Sequence, residues 1–467
     1  MSDSDRASKE DIPISTSAQQ PAPHRLTGTL LALGPGIVVA ANVIGSGELI
    51  NAPIQAAKFG FVLLWAVIFS CVIKYFLQVE IGRHAILHDR TTFQSLNLCP
   101  GPKFRRTSWV TWVYMVGYTI TQVGLVGILL ATSGLLHSML PLGNDTTVSV
   151  LIWGGLIWAV TQFLLWKSVY KGFEVIVTSI VVVFSLAAFV SLILLQGTDY
   201  RIESVDILGG LKFSFGENPG AGAIAVISFI GALGTTANEL FQYPYWLLEK
   251  GFARRIGKPD SEGWVERGRG WIRILRLDVA VSTTIAAVLT VAFFLLGAAV
   301  LHGSGDVPTG VDVVLQIGRV FTETYGESSR TLFVIGGIAA LYSSFLVSSA
   351  ASGRMGADFM VSTGSIERDN KGDVRRAQQL FQSAYLGAVL MIFLILRAGK
   401  PPAELVIFAQ FVSGVFNTPL LMFGICVMAF STDRRLRMGR LSMAGLLFSV
   451  SVVTVCILAA LGVKLFG

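Results

Sequence analysis

The chain of 467 residues is 53% hydrophobic and only 14% charged, with a mean hydropathy of +0.65. Soluble domains carry about a quarter charged residues, so this composition excludes a soluble globular protein and indicates an all-α, polytopic membrane protein. The net charge of +7 would suit a nucleic-acid partner, but the distribution of the basic residues argues against one.

In chain order, the sequence begins with a polar segment, residues 1–24, which contains Ser and Pro and lacks the apolar core of a cleaved signal. We expect this segment to be a disordered cytoplasmic tail. Eleven apolar segments follow, each long enough to cross a bilayer as a helix. They cover residues 28–57, 61–82, 108–136, 147–166, 173–196, 221–248, 277–300, 331–353, 379–397, 404–430 and 441–466.

The loops that follow the even-numbered spans contain 24 Lys and Arg residues, whereas the opposite loops contain seven. Because basic residues accumulate in cytoplasmic loops, this bias predicts a cytoplasmic N-terminus and an external C-terminus. We expect an integral protein of the bacterial inner (plasma) membrane, either a monomer or a weak homodimer. Its expected partners are the lipid bilayer and a small inorganic ion, with no nucleic acid.

Two spans are interrupted near their middle, span 1 at Gly45-Ser46-Gly47 and span 6 at Gly234-Thr235-Thr236. Unwound backbone is tolerated in a membrane only where it lines a protein cavity, although small residues also serve ordinary helix packing. Matching breaks five helices apart are typical of inverted-repeat transporters. We therefore predict a transporter core, residues 25–430, with repeats at about 28–196 and 221–430, followed by a loop and an additional helix 11 in residues 431–467.

Several short motifs resemble the Nramp (natural resistance-associated macrophage protein) family of divalent-metal transporters. The resemblance covers about residues 28–430 and implies the leucine-transporter-like fold, with discontinuous helices 1 and 6 and alternating access. The motifs are Gly34-Pro35-Gly36, Phe59-Gly60-Phe61-Val62-Leu63-Leu64-Trp65, Leu77-Gln78 with Gly82, Glu239-Leu240-Phe241-Gln242-Tyr243-Pro244-Tyr245-Trp246, Ser343-Ser344, and Gln410 with Pro419.

The departures from the family pattern fall at its metal site. The family's Asp-Pro-Gly-Asn reads Gly45-Ser46-Gly47-Glu48, and its Ala-Thr-Val-Met-Pro-His reads Thr235-Thr236-Ala237-Asn238-Glu239-Leu240. The acidic pair of span 3, which the family links to proton passage, appears as Thr119 and Gln122. Borderline and soft transition ions favour imidazole and sulfur ligands, so we expect no transition-metal site.

The first hypothesis is a secondary-active, alternating-access transporter that takes up a small oxyanion such as bicarbonate. Half-helix N-termini present free amide groups and a positive dipole end, both of which favour anions. The expected substrate-binding residues are Gly45, Ser46, Gly47, Glu48, Gly234, Thr235, Thr236 and Asn238, with Glu239, Gln410 and Gln122 as accessory residues.

Sodium is the expected coupling ion of this hypothesis, and no other cofactor is expected. In sodium-coupled relatives of the fold, hydroxyl groups of span 8 and carbonyl groups of broken span 1 bind Na⁺. Such hydroxyls also commonly bond back to their own helix. The candidates are Ser343, Ser344, Ser348 and Ser349.

The alternative hypothesis is a transporter of a hard divalent cation, Mg²⁺ or Mn²⁺, with Glu48 as an oxygen ligand. A passive channel is a third possibility, although paired discontinuous helices favour a carrier. We expect no enzymatic activity, because the sequence offers no nucleophile–base arrangement. Lys74, within span 2, is expected to have a structural role because an unpaired intramembrane charge is costly.

Overall fold

The computed structural model is mostly helical and describes residues 19–23, 25–33, 45–167, 170–259, 261–305, 307–309, 313–396, 399 and 401–466. The first half of predicted span 1, which includes Gly34-Pro35-Gly36, lies outside the described residues. So does most of the predicted disordered tail. Residues 19–23 of that segment are described: the Gln20 amide donates to the carbonyl of Arg255 at 2.9 Å, and Trp271 Nε1 donates to the Gln20 carbonyl at 3.0 Å.

Among the described residues, nine α-helices precede residue 215, with a π-helical turn at Gly47–Asn51 and 3₁₀ turns at Gly60–Leu63 and Leu195–Gly197. A two-stranded antiparallel hairpin, β1 (Lys103–Phe104) and β2 (Thr107–Ser108), lies between the fourth and fifth helices. The helices are α1 (Leu26–Ala32), α2 (Ala52–Phe59), α3 (Leu64–His88), α4 (Thr92–Leu96), α5 (Trp109–Thr121), α6 (Val123–Met139), α7 (Thr146–Lys167), α8 (Tyr170–Leu194) and α9 (Ser204–Gly210).

The second half contains π-helical turns at Gly297–His302 and Ser413–Asn417 and a 3₁₀ turn at Arg434–Leu436. Its helices are α10 (Pro219–Ala232), α11 (Ala237–Glu249), α12 (Phe252–Ile256), α13 (Trp264–Leu296), α14 (Val313–Ile317), α15 (Arg319–Tyr325), α16 (Ser329–Ser362), α17 (Lys371–Leu396), α18 (Pro402–Val412), α19 (Thr418–Ser431) and α20 (Arg440–Phe466).

Within the described residues, ten helical segments are long and apolar enough to cross a membrane. One of them, Gly47–His88, contains both the second half of predicted span 1 and all of span 2, with a bend at Gly60, whose φ is +58°. The other nine correspond to predicted spans 3 to 11. The count of eleven spans stays a prediction, because residues 34–44 are not described.

Span 6 is discontinuous: α10 ends at Ala232 and α11 begins at Ala237. Gly234 has a φ of +69°, a left-handed conformation that glycine adopts without a steric penalty. The break in span 6 lies against the start of the second half of span 1. A Cβ added to Gly47 there would be only 3.2 Å from the Ala232 carbonyl oxygen. The two interrupted segments therefore meet, and the small residues at both breaks permit the close approach.

A row of polar side chains on α3 satisfies the unwound backbone of span 6. Lys74 is fully buried, and its Nζ donates to the carbonyl of Thr235 at 2.7 Å and to that of Leu233 at 3.3 Å. One turn earlier, Ser70 Oγ donates to the carbonyl of Phe229 at 2.8 Å. One turn later, Gln78 Oε1 accepts from Thr235 Oγ1 at 3.2 Å. These contacts agree with the structural role expected for Lys74.

We predict that Lys74→Met destabilises the protein. Methionine fills a similar volume but removes the Lys74 donor from the buried carbonyl of Thr235 and leaves the Leu233 carbonyl with Ser70 Oγ, at 3.3 Å, as its side-chain donor. A buried carbonyl without a donor is unfavourable by about 1–3 kcal/mol. Lys58→Met is the matched control because Lys58 lies in the last turn of α2 and is exposed. Thermal unfolding of the purified protein in detergent measures the difference; equal unfolding temperatures for the two variants would contradict the role of Lys74.

Candidate functional site

A cavity of about 130 Å³ lies between the two helix breaks and spans 3, 8 and 10. Both interrupted segments contribute backbone and side chains to it, and they face α5, α6, α16 and α18. The polar lining residues are Ser46, Glu48, Tyr118, Thr121, Gln122, Thr236, Asn238, Glu239, Gln242, Ser344, Ser348, Gln410 and Ser413.

Glu48 is the most buried acidic group of the cavity, with 1% of its surface exposed. It lies in the first turn after the break of span 1, and its Oε2 accepts from the amide of Gly45 at 3.4 Å. Its Oε1 accepts from Thr290 Oγ1 of α13 at 3.1 Å. The carboxylate is therefore held between its own half-helix and span 7, and its orientation depends on the Thr290 hydroxyl.

Glu239 has the same position in the second break as Glu48 has in the first. Thr236 is the N-cap of α11, and its Oγ1 accepts from the Glu239 amide at 3.2 Å, while Glu239 Oε2 accepts from the Thr236 amide at 2.7 Å. This reciprocal pair is a capping box, which satisfies two amide groups at a helix N-terminus. Glu239 Oε1 has no hydrogen bond among the described residues, so that oxygen is available to a ligand.

These contacts weaken the case for an oxyanion, because one amide group at each break is already occupied by an acidic side chain. The amides of Gly45 and Thr236 donate to carboxylates of the protein. The positive ends of the half-helix dipoles are thus matched by Glu48 and Glu239, which is the favourable arrangement for acidic side chains. A second anion in the same place would be repelled by both carboxylates.

The predicted substrate-binding residues divide into two groups. Gly45, Ser46, Gly47, Glu48, Thr236 and Asn238 line the cavity. Gly234 and Thr235 are not among its lining residues: the Thr235 hydroxyl donates to Gln78 and its carbonyl accepts from Lys74, so both polar groups turn toward α3.

The predicted sodium-coordinating serines are also divided between two environments. Ser344 and Ser348 line the cavity, whereas Ser343 and Ser349 are buried outside it, with 5% and 1% of their surfaces exposed. Ser349 Oγ bonds back to the carbonyl of Phe345 at 2.7 Å. In the described part of the chain the four hydroxyls do not form one cluster, and the broken half of span 1 that would complete such a site is not described.

All three accessory residues, Glu239, Gln410 and Gln122, line the cavity. Gln410 Nε2 donates to Ser46 Oγ at 3.4 Å, and within the described residues its Oε1 has no partner although the atom is buried. Gln122 Nε2 donates to the carbonyl of Tyr118 at 3.4 Å. Gln410 therefore offers a second unoccupied oxygen to a ligand, in addition to Glu239 Oε1.

Thr290 and Gln242 are site residues that the sequence interpretation missed. Thr290 lies in a long apolar span in which Ser282, Thr283 and Thr284 are equally plausible, and only the packing of α13 against the span 1 break selects it. Gln242 could have been identified, because it lies one helical turn after Asn238 in the quoted span 6 motif and so shares its face of α11.

The available ligand atoms are oxygens and amide groups. Of the described residues that line the cavity, two are carboxylates and none is a histidine, cysteine or methionine. Across the described residues, no group of three or more His, Cys, Asp and Glu side chains is arranged to hold a metal ion. An ion bound here would be held by Glu48, Glu239, amide oxygens and retained water, which is a donor set suited to hard cations.

Two bacterial proteins named as divalent metal cation transporters are similar in sequence to this chain. Over 440 residues it is 24% identical to the divalent metal cation transporter MntH of Brucella suis, covering 92% of this chain and 87% of that protein. The corresponding MntH of Mycobacterium tuberculosis is 24% identical over 333 residues, covering 70% of this chain and 69% of the relative. These relatives span most of the chain.

Solved structures with the same fold include mutant forms of the Eremococcus coleocola manganese transporter, with a TM-score of 0.65 at 16% identity over 95% of this chain and 89% of that one. The similarity confirms the predicted leucine-transporter-like fold. The family model described as natural resistance-associated macrophage protein-like matches residues 36–467. The chain is therefore a membrane transporter protein that belongs to the Nramp family.

Proposed function

We propose that this protein is an alternating-access carrier of a hard divalent cation, with Mg²⁺ and Mn²⁺ as its substrates. The observation that carries the proposal is the pair of carboxylates, Glu48 and Glu239, at the two helix breaks of one cavity. The related MntH proteins are named as divalent metal cation transporters, which supports a cation of this charge. The membrane in which we expect it to act is the bacterial inner membrane.

Charge balance supports a divalent substrate. Two ionised carboxylates in a cavity with little water are stabilised only when positive charge compensates them, because an uncompensated buried charge is strongly destabilising. Lys74 lies on the far side of the span 6 break, where its Nζ is committed to backbone carbonyls. A divalent cation between Glu48 and Glu239 supplies the remaining compensation.

The donor atoms support hard ions in preference to soft ones. Mg²⁺ retains several waters and binds through one or two carboxylates, and the cavity of about 130 Å³ has room for an ion with part of its hydration shell. The unoccupied oxygens of Glu239 and Gln410 complete such a site without imidazole or sulfur. For Zn²⁺ and Cd²⁺, these oxygen donors are less favourable than the imidazole and sulfur ligands that those ions prefer.

Sodium coupling has no support in this arrangement. Ser344 and Ser348 line the substrate cavity itself, and Ser343 and Ser349 lie outside it. The proposed carrier therefore needs no separate sodium site, and the span 8 hydroxyls are available to hold water around the divalent ion.

Ion selectivity tests the proposal directly. We predict saturable uptake of Mg²⁺ and Mn²⁺ into proteoliposomes, with Cd²⁺ and Zn²⁺ competing only weakly because soft ligands are lacking. Labelled bicarbonate, supplied with and without Na⁺, is the comparison in the same vesicles. Sodium-stimulated bicarbonate uptake without divalent entry would overturn the proposal, and non-saturating current would indicate a channel instead.

We predict that Glu48→Gln and Glu239→Gln each lower the affinity for the divalent ion. Removing a ligand carboxylate leaves the amide groups capped by a neutral side chain but halves the negative charge of the cavity, and we expect a loss of about tenfold or more. Glu217→Gln, at an exposed loop position before α10, is the control. An unchanged apparent affinity in either cavity variant would contradict its role as a ligand.

Thr290→Val tests the orientation of Glu48 without changing any charge. Valine keeps the shape of threonine but removes the 3.1 Å hydrogen bond to Glu48 Oε1. Loss of such an orienting partner typically weakens metal binding by about 10–100-fold, so we expect a raised apparent KM for Mg²⁺. Thr284→Val is the matched control on the exposed side of the same helix, and an equal effect of the two substitutions would refute the contact.

A further inference from the structure

A second cavity, of about 320 Å³, lies between the ends of α7, α16 and α17. We call it the basic cleft and define it by Arg354, Arg368, Lys371, Arg375 and Gln382, which all line it. None of the described residues that line the cleft is acidic. It lies on the predicted cytoplasmic side, where α7 ends and α17 begins.

Three of the four basic residues of the basic cleft have no salt bridge within the described residues. Arg368, Lys371 and Arg375 are exposed, and in the described part of the chain none of them has a carboxylate within 4.0 Å. The nearby Asp373 is 3.9 Å from Arg376 instead and accepts from Asn370 Nδ2. Three cations without a salt bridge around one cleft are suited to binding an anion.

Gln382 gives an independent indication of a ligand. Only 8% of its surface is exposed, and its Nε2 donor has no hydrogen-bond partner among the described residues. A buried donor without an acceptor is unfavourable by about 1–3 kcal/mol. A bound group with acceptor oxygens removes this penalty, and a phosphate has enough oxygens to contact several guanidinium groups and an amide together.

The surroundings of the cleft indicate that its ligand is a lipid. Phe163 and Trp166 at the end of α7 are 60% and 58% exposed, and Leu380, between two cleft residues on α17, is 65% exposed. Large apolar side chains this exposed in a membrane protein face acyl chains. A phosphate in the cleft would therefore have hydrocarbon directly beside it.

We propose that the basic cleft binds the phosphate headgroup of an anionic phospholipid, with the acyl chains lying along α7 and α17. Basic pockets between helices on the cytoplasmic side are suited to such headgroups. The proposal does not depend on which ion the protein carries.

Headgroup binding is connected to the substrate cavity through Arg354. This residue lies 3.8 Å from Glu249 at the end of α11 and stacks on Trp246, with 4.7 Å from its guanidinium carbon to the ring centre. A small cavity of about 20 Å³, lined by Gln242 and Arg354, separates the basic cleft from the substrate cavity. A headgroup competes with Glu249 for Arg354, so an occupied cleft weakens the contact between α16 and α11.

The test uses the purified full-length protein in a neutral detergent, titrated with dioctanoyl phosphatidylglycerol while thermal unfolding is followed. Dioctanoyl phosphatidylcholine and inorganic phosphate are the comparison ligands. The variants are the triple substitution Arg368→Gln, Lys371→Gln, Arg375→Gln, and the uncharged change Gln382→Leu. The control is Arg254→Gln, Lys258→Gln, Arg269→Gln, which removes three exposed basic residues elsewhere on the predicted cytoplasmic side.

We expect phosphatidylglycerol to stabilise the wild-type and control proteins at much lower concentrations than phosphatidylcholine. Removing the three cleft charges should weaken this by on the order of tenfold or more, and Gln382→Leu should weaken it without changing the charge. Equal losses in the cleft and control triple variants would overturn the proposal, because diffuse surface charge would then explain binding. Stabilisation by inorganic phosphate as strong as that by the lipid would also overturn the lipid assignment.

Discussion

Backbone groups inside a bilayer must find hydrogen-bond partners within the protein, and the rest of this site depends on how two interrupted helices meet that requirement. At the end of α10 the free carbonyls of Leu233 and Thr235 accept from Lys74. At the two half-helix starts the free amides of Gly45 and Thr236 donate to Glu48 and Glu239. A cation thus lies at the negative end of a helix dipole and carboxylates lie at positive ends, as electrostatics favours.

The two carboxylates consequently have two functions that compete. Each caps its own half-helix, and each faces the cavity in which the proposed substrate binds. An ion that draws a carboxylate oxygen toward itself changes the hydrogen bond that defines where the half-helix begins. Ion occupancy and the geometry of the breaks are therefore coupled through the same atoms, which gives a transporter a direct way to connect binding to a change of conformation.

Much of this arrangement could be predicted from the sequence. Both breaks, the membrane class, the family and most cavity-lining residues follow from Gly and carboxylate positions in otherwise apolar spans. The direction of polar groups could not be predicted. Thr235 and Thr236 are adjacent and chemically alike, yet Thr236 caps α11 while Thr235 turns toward Gln78. That turn depends on the left-handed Gly234 and on α3 packing beside it. For the same reason the sequence did not reveal that the Glu48 and Glu239 carboxylates accept from amide groups at the two breaks, which weakens the case for an anion.

Arg354 lies between the substrate cavity and the basic cleft, so its charge affects a cation that leaves toward the predicted cytoplasmic side. The substrate cavity is acidic, and the next polar group toward the predicted cytoplasmic side is Arg354. A divalent cation leaving the cavity is repelled by that guanidinium unless another negative charge compensates it. Glu249 does so only partly, since it is about half exposed and 3.8 Å away, and exposed ion pairs contribute little. An anionic headgroup in the basic cleft would hold Arg354 away from α11 and neutralise it, so we expect bilayer composition to influence release of the cation through Arg354.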